Sequence, residues 1–152
     1  MERQGTILIV DDEAGPRESL RMILKPIYKI YLAANGKEAL DLIQKEDIDL
    51  VTLDLNMPGL SGVDVLKEIK KMKSDVEVII ITGYGTLKNA QEVIRHGAGD
   101  FISKPFNVAD IIAIVSKSFE RRAYNLKINS LIQQIKGLRN MGEDKPREFP
   151  AN

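Results

Sequence analysis

Apolar residues along this chain follow two alternating rhythms. Short continuous runs, Ile7-Leu8-Ile9-Val10, Leu50-Val51-Thr52-Leu53 and Val78-Ile79-Ile80-Ile81, read as strands buried on both faces. Between them apolar residues recur at helical spacing, as in Ala39, Leu40 and Ile43, or Val65, Leu66, Ile69 and Met72. The pattern predicts five strand–helix pairs. The strands are expected at 6–10, 28–33, 49–53, 76–81 and 100–103. The helices are expected at 14–24, 37–45, 63–72 and 87–96, with a fifth opening after the N-cap residue Asn107. Pro16 falls in a first helical turn, where no N–H partner is needed, and Gly97 is placed to stop a helix. Repeated strand–helix units with short connections predict an α/β fold, a five-stranded parallel sheet with helices on both faces. Right-handed crossovers leave few strand orders, and spacing alone does not choose among them.

The fifth helix outlasts the domain. Its pattern runs from 108 to about 139, roughly 45 Å at about 1.5 Å per residue. In its second half Tyr124, Ile128, Leu131, Ile135 and Leu138 alternate spacings of four and three, a two-heptad seam. A helix folded back on its domain, or a frayed end, is the alternative. The chain therefore divides into a domain at 1–121, a helical extension and coiled-coil linker at 122–140, and a tail at 141–152 whose prolines and charges read as disordered.

Bulk composition narrows the function. The 152 residues contain 22 Lys plus Arg against 22 Asp plus Glu, so no basic footprint marks a nucleic-acid binder. Cysteine is absent, which removes disulfide and thiolate chemistry. No apolar stretch approaches the ~20 residues that cross a bilayer, and the first apolar run is too short for a signal-peptide core. A cytoplasmic protein, without direct nucleic-acid or membrane binding, is expected.

The chemistry sits at the ends of the predicted strands. Asp11 and Asp12 follow the first, Asp54 the third, Thr82 the fourth, and Lys104-Pro105 the fifth. Ligands of open α/β sheets bind at such carboxyl ends. Neighbouring carboxylates resist joint ionisation unless a cation neutralises them, and Mg²⁺ is a hard ion that takes oxygen ligands. Asp54 ends an otherwise apolar strand, where a carboxylate is costly to bury, and as a nucleophile toward phosphorus it would give an acyl phosphate. Thr82 offers a hydroxyl and Lys104 a point charge for phosphoryl oxygens. Each residue also has a plainer role: helix capping for the acids, turn initiation for Asp54 before Asn56 and Pro58-Gly59, β-propensity for Thr82, a solvated charge for Lys104. The Lys104–Pro105 bond is expected to be cis. His96, the one histidine, lies near a helix end and reads as structural or exposed.

Taken in order, Asp11-Asp12, Asp54 with Met57-Pro58-Gly59 and Gly62, Thr82-Gly83 and Lys104-Pro105-Phe106 make the chain resemble the receiver domain of bacterial two-component response regulators. The likeness covers about 6–121. It implies a CheY-like, flavodoxin-like fold with strand order 2-1-3-4-5. It implies Asp54 as phosphoacceptor, with Mg²⁺ held by Asp12, Asp54 and the Asn56 backbone carbonyl, and by Asp11 mainly through metal-bound water. Thr82 and Lys104 would hold phosphoryl oxygens. Phe101 matches the switch aromatic, acting with Thr82 to alter the face made by the fourth helix, fifth strand and fifth helix. A phenylalanine lacks tyrosine's hydroxyl, so its switching would be steric; ordinary core packing is the alternative. Asn56, Gly83 and Tyr84 would tune the lifetime of the phosphoryl group. The implied partners are a sensor histidine kinase or histidine phosphotransfer protein, and a second copy through the last helix or the switch face. The long helix resembles connectors in activators of the nitrogen-regulatory type.

Two other readings compete. A degenerate receiver would be a phosphorylation-independent interaction module, which the complete acidic set and Lys104 disfavour. An aspartyl phosphatase would carry a general acid two residues after its nucleophile, where this chain has Asn56. The expectation is therefore a signalling domain rather than an enzyme acting on a substrate.

Overall fold

A computed structural model describes residues 3–83 and 87–143. Five strands, β1 (Thr6–Val10), β2 (Lys29–Ala33), β3 (Leu50–Leu53), β4 (Glu77–Thr82) and β5 (Asp100–Ser103), alternate with five helices. These are α1 (Ala14–Leu24), α2 (Gly36–Lys45), α3 (Gly62–Met72), α4 (Leu87–Arg95) and α5 (Val108–Glu143). All strand pairs are parallel, in the order β2-β1-β3-β4-β5. β1 and β3, at the centre, are fully buried, whereas the edge strand β2 is exposed at Lys29 and Leu32.

Alternation along the strands divides the core in two. Leu8, Val10, Val51, Leu53, Val78 and Ile80 face Ala39 and Ile43 of α2 and Val65, Leu66 and Ile69 of α3. Ile7, Ile9, Leu50, Ile79 and Ile81 face Leu20 and Leu24 of α1 and Ile111 and Val115 of α5. Both faces are covered, which is why the strands read as continuous apolar runs.

The helix starts carry their own signals. Asn35 caps α2 by accepting from the Glu38 N–H, and Ser61 caps α3 by accepting from the Asp64 N–H. The Asn107 side chain accepts from Ala109 N–H at the start of α5. Gly97 ends α4 at φ +102°, a conformation that favours glycine. The boundaries differ from expectation by a residue at several ends. Thr82 belongs to β4 because it pairs with Ser103, and α4 stops at Arg95, leaving half-buried His96 outside it.

α5 spans 36 residues, about 54 Å at 1.5 Å per residue. It is fastened to the amino-terminal edge of the sheet before it leaves the domain. Arg121 pairs with the buried Glu77 at 2.9 Å. Arg122 reaches both Asp49, at 3.2 Å, and Asp75, at 3.1 Å. Arg3 also pairs with Asp49, whose other oxygen accepts the Thr6 N–H. Gly99 leaves room for this network, since a Cβ there would lie 2.2 Å from the Arg121 guanidinium.

Candidate functional site

Parallel strands that end together bring their following residues together, and β1, β3 and β5 do so here. Asp11 lies just beyond β1, with its backbone N–H bonded to Ala33 on β2. Asp54 lies just beyond β3, with its N–H on the Val10 carbonyl. Lys104 follows β5, with its N–H on the Thr82 carbonyl. The neighbouring backbone is held at the sheet's carboxyl edge by these bonds, and the side chains converge on one point.

Asp11 and Asp54 are both buried, at 2% and 4% exposure. The Lys104 ammonium donates to both, at 2.7 Å to Asp11 Oδ2 and 3.1 Å to Asp54 Oδ2. The remaining oxygens are committed to the loops. Asp11 Oδ1 accepts from Glu13 N–H, and Asp54 Oδ1 from Asn56 N–H. Burial works against charge on Lys104. The two carboxylates outweigh it, so its pKa is raised above the ordinary value. Lys104 is thus no solvated surface charge, and its bond to Pro105 is cis as expected.

Asp12 is exposed at the rim, yet ligand oxygens of Asp11, Asp12 and Asp54 all lie within 4.8 Å of one another. Lys104 pairs with Asp11 and Asp54, and Asp12 adds a third carboxylate beside them. The excess negative charge and all-oxygen donor set suit a hard divalent cation such as Mg²⁺.

Thr82 is fully buried at the end of β4, and Gly83 beside it is exposed. Among the described residues, a Cβ added at Gly83 would meet only Lys104 Cβ, at 4.0 Å. Tyr84, expected to line the site, lies outside the described residues. Asn56 is exposed. Phe101 is half-buried on β5 opposite Ile80, packed against the core on the α2–α3 side.

One residue of the site was not foreseen, and another, Gly62, was named only as part of the resemblance. Arg17, on α1, donates to the Asp11 carbonyl at 2.7 Å and braces the acidic loop. Gly62 opens α3 so close to Asp54 that a Cβ would lie 2.4 Å from the Asp54 carbonyl oxygen and 2.5 Å from Leu55 Cα. The glycine was visible in the sequence, but its reason, backbone against backbone across an eight-residue loop, is a property of the fold.

Known proteins resemble this chain in sequence and in fold. The sequence model of the response regulator receiver domain matches residues 7–116. Sporulation initiation phosphotransferase F of Bacillus subtilis is 43% identical over 112 residues, covering 73% of this chain and 90% of that protein. The regulatory protein LuxO of Vibrio cholerae is 34% identical over 120 residues, 78% of this chain but only 26% of LuxO. Among solved structures, a CheY-like receiver domain protein from Methanospirillum hungatei superposes with a TM-score of 0.78 at 28% identity, over 81% of this chain and 99% of that one. With the strand order, the convergent acids and the family match in agreement, the chain belongs to the response regulator receiver domains of two-component systems.

Proposed function

We propose that this receiver accepts a phosphoryl group on Asp54 from a histidine-phosphorylated partner, with Mg²⁺ at the acidic cluster, and passes the event to a second surface. The observation that carries the reading is the shared grip of Lys104 on Asp11 and Asp54. A half-buried ammonium bonded to two carboxylates holds the nucleophile in place, and is positioned to take a phosphoryl oxygen once Asp54 carries the group.

In the transfer, an Asp54 carboxylate oxygen forms a bond to phosphorus while the P–N bond to the donor imidazole breaks. Asp11, Asp12, Asp54 and the Asn56 carbonyl would hold the ion, which offsets charge on the carboxylate and the incoming phosphoryl oxygens. Lys104 exchanges carboxylate for phosphoryl oxygen, and the Thr82 hydroxyl donates to another. A groove of about 440 Å³ lined by Pro16, Ser19, Lys104, Pro105 and Phe106 adjoins the site and offers the donor protein a docking place. Movement of Thr82 toward the phosphoryl group makes room for Phe101 to turn inward, which alters the α4–β5–α5 face. Self-association through that face or through α5 belongs to the same reading, as does a cytoplasmic setting.

Peptide mapping after phosphorylation by a small-molecule donor tests the assignment. The modification is expected on the peptide containing Asp54; modification elsewhere, with Asp54 untouched, would refute it. A degenerate interaction module lacks support, because its acidic cluster would have no need of Lys104 pinned between two acids.

A further inference from the structure

The three acids of the cluster are held in different ways. Lys104 grips the side chains of Asp11 and Asp54. The Asp12 carboxylate is exposed and makes no hydrogen bond or ion pair among the described residues. Its direction is set by the backbone on either side of it. The Asp11–Asp12 peptide is pinned through its carbonyl oxygen, which accepts from Arg17 Nη1 at 2.7 Å. The Asp12–Glu13 peptide is pinned through the Glu13 N–H, which donates to Asp11 Oδ1 at 2.9 Å. A peptide unit is planar, so fixing its oxygen restrains the Cα at each end. Arg17 thereby orients the residue that brings the third carboxylate.

The start of α1 serves this contact more than its own stability. Glu13, at the N-cap position, makes no side-chain capping bond, and no acid stands in the first turn. Arg17, one turn in, adds a cation toward the positive end of the helix, where the dipole favours acids instead. Its half-buried guanidinium forms no ion pair among the described residues. The Asp11 carbonyl is the partner the structure gives it.

We infer that Arg17 is a positioning residue of the metal site, which keeps the Asp12 carboxylate aimed at the ion by holding the Asp11 carbonyl and touches neither the ion nor the phosphoryl group. This rests on the Mg²⁺ reading above and gives α1 a part in it. Groups that orient metal ligands from behind change metal affinity by about 10–100-fold. Once an ion is bound it draws Asp12 into place itself. Loss of Arg17 therefore costs affinity, and the transfer rate at saturating Mg²⁺ stays as it was. The positive charge of Arg17 acts in the opposite sense, since it repels a dication. Salt screens that repulsion, so the comparison belongs at about 0.15 M ionic strength.

A Mg²⁺ titration of the full 152-residue chain, followed by backbone amide NMR shifts with no phosphodonor present, tests this. Arg17→Met keeps the apolar arm and removes the donor. It should raise the Kd for Mg²⁺ about tenfold or more. Arg17→Lys keeps an N–H donor and the charge, and should recover part of the loss. Arg21→Met, on the same helix and paired with Glu18, should titrate like the parent. Labelling by phosphoramidate should need correspondingly more Mg²⁺ in Arg17→Met and reach the parent's rate at saturation. The same spectra report whether each variant is folded, and Arg17→Gln repeats the test if Arg17→Met is not. A parent-like Kd in Arg17→Met, or a tighter one, overturns the inference. So does a labelling rate that stays low at saturating Mg²⁺, because Arg17 would then act on the transfer itself. A parent chain that takes up no Mg²⁺ overturns the metal reading as a whole. A parent that binds and labels beside an indifferent Arg17→Met overturns only the part given to Arg17.

Discussion

Replacing Gly62 by alanine places one methyl group against the backbone that presents Asp54. The nearest atoms to the new Cβ would be Asp54 O at 2.4 Å, Leu55 Cα at 2.5 Å and Asp54 C at 3.1 Å. All three are main-chain atoms, so no side chain can swing aside. Reaching even 3.0 Å, which real Cβ contacts almost never undercut, needs a movement of about 0.6 Å by α3 or by the Asp54 segment. Moving α3 disturbs Val65, Leu66 and Ile69, all fully buried. Moving the Asp54 segment shifts a carboxylate held by Lys104 and Asn56. Overpacking of this kind costs about 1–3 kcal/mol. For a chain of this size each kcal/mol lowers Tm by roughly 2–4 °C. Gly62→Ala should therefore melt several degrees lower by circular dichroism and phosphorylate more slowly at temperatures where it stays folded. Gly15→Ala is the control, since no atom of the described residues lies within 4 Å of its added Cβ. Parent-like melting and labelling in Gly62→Ala would refute the argument that glycine is required by this close approach.

Three further outcomes follow from the same geometry. Lys104→Ala leaves Asp11 and Asp54 buried without their shared cation, so it should lose about 3 kcal/mol in chelator by urea denaturation and regain part of it in Mg²⁺; it should still be phosphorylated but fail to change partner binding, and equal stability to the parent in chelator would show that the ion pairs contribute nothing. Mg²⁺ should raise the melting temperature of the parent chain, by up to about 2.7 kcal/mol equivalent at a hundredfold excess over its Kd, and Asp12→Asn should shrink that gain; a melting curve indifferent to Mg²⁺ would remove the metal site. The Thr52 hydroxyl is buried with no hydrogen-bond partner among the described residues, so Thr52→Val should stabilise by about 1 kcal/mol in urea denaturation, and a loss of stability would show that the hydroxyl is satisfied.

Much of this site was legible because the fold writes it locally. A parallel strand covered on both faces must read as an apolar run, so Asp54 and Thr82 stood out as polar residues closing such runs. The order of the runs then placed their ends on one edge. The pairings across that edge were not legible. Lys104 and Asp11 are 93 residues apart, and nothing near either one says that the lysine holds two acids rather than facing water. Arg121 and Glu77 hid in the same way, one on a helix surface and the other at a strand's first residue. The helical periodicity of α5 was readable to about 139, whereas the helix continues to Glu143, into the segment expected to be a disordered tail.

Everything proposed for this receiver depends on Asp54 taking a phosphoryl group in a Mg²⁺-dependent reaction. Intact mass after incubation with acetyl phosphate or phosphoramidate, with Mg²⁺ and separately with a chelator, tests it most directly. A single phosphoryl adduct is expected with Mg²⁺, none with chelator, and none in Asp54→Asn with its fold intact. An adduct of equal yield in Asp54→Asn, or no adduct from either donor in the parent chain, would contradict it.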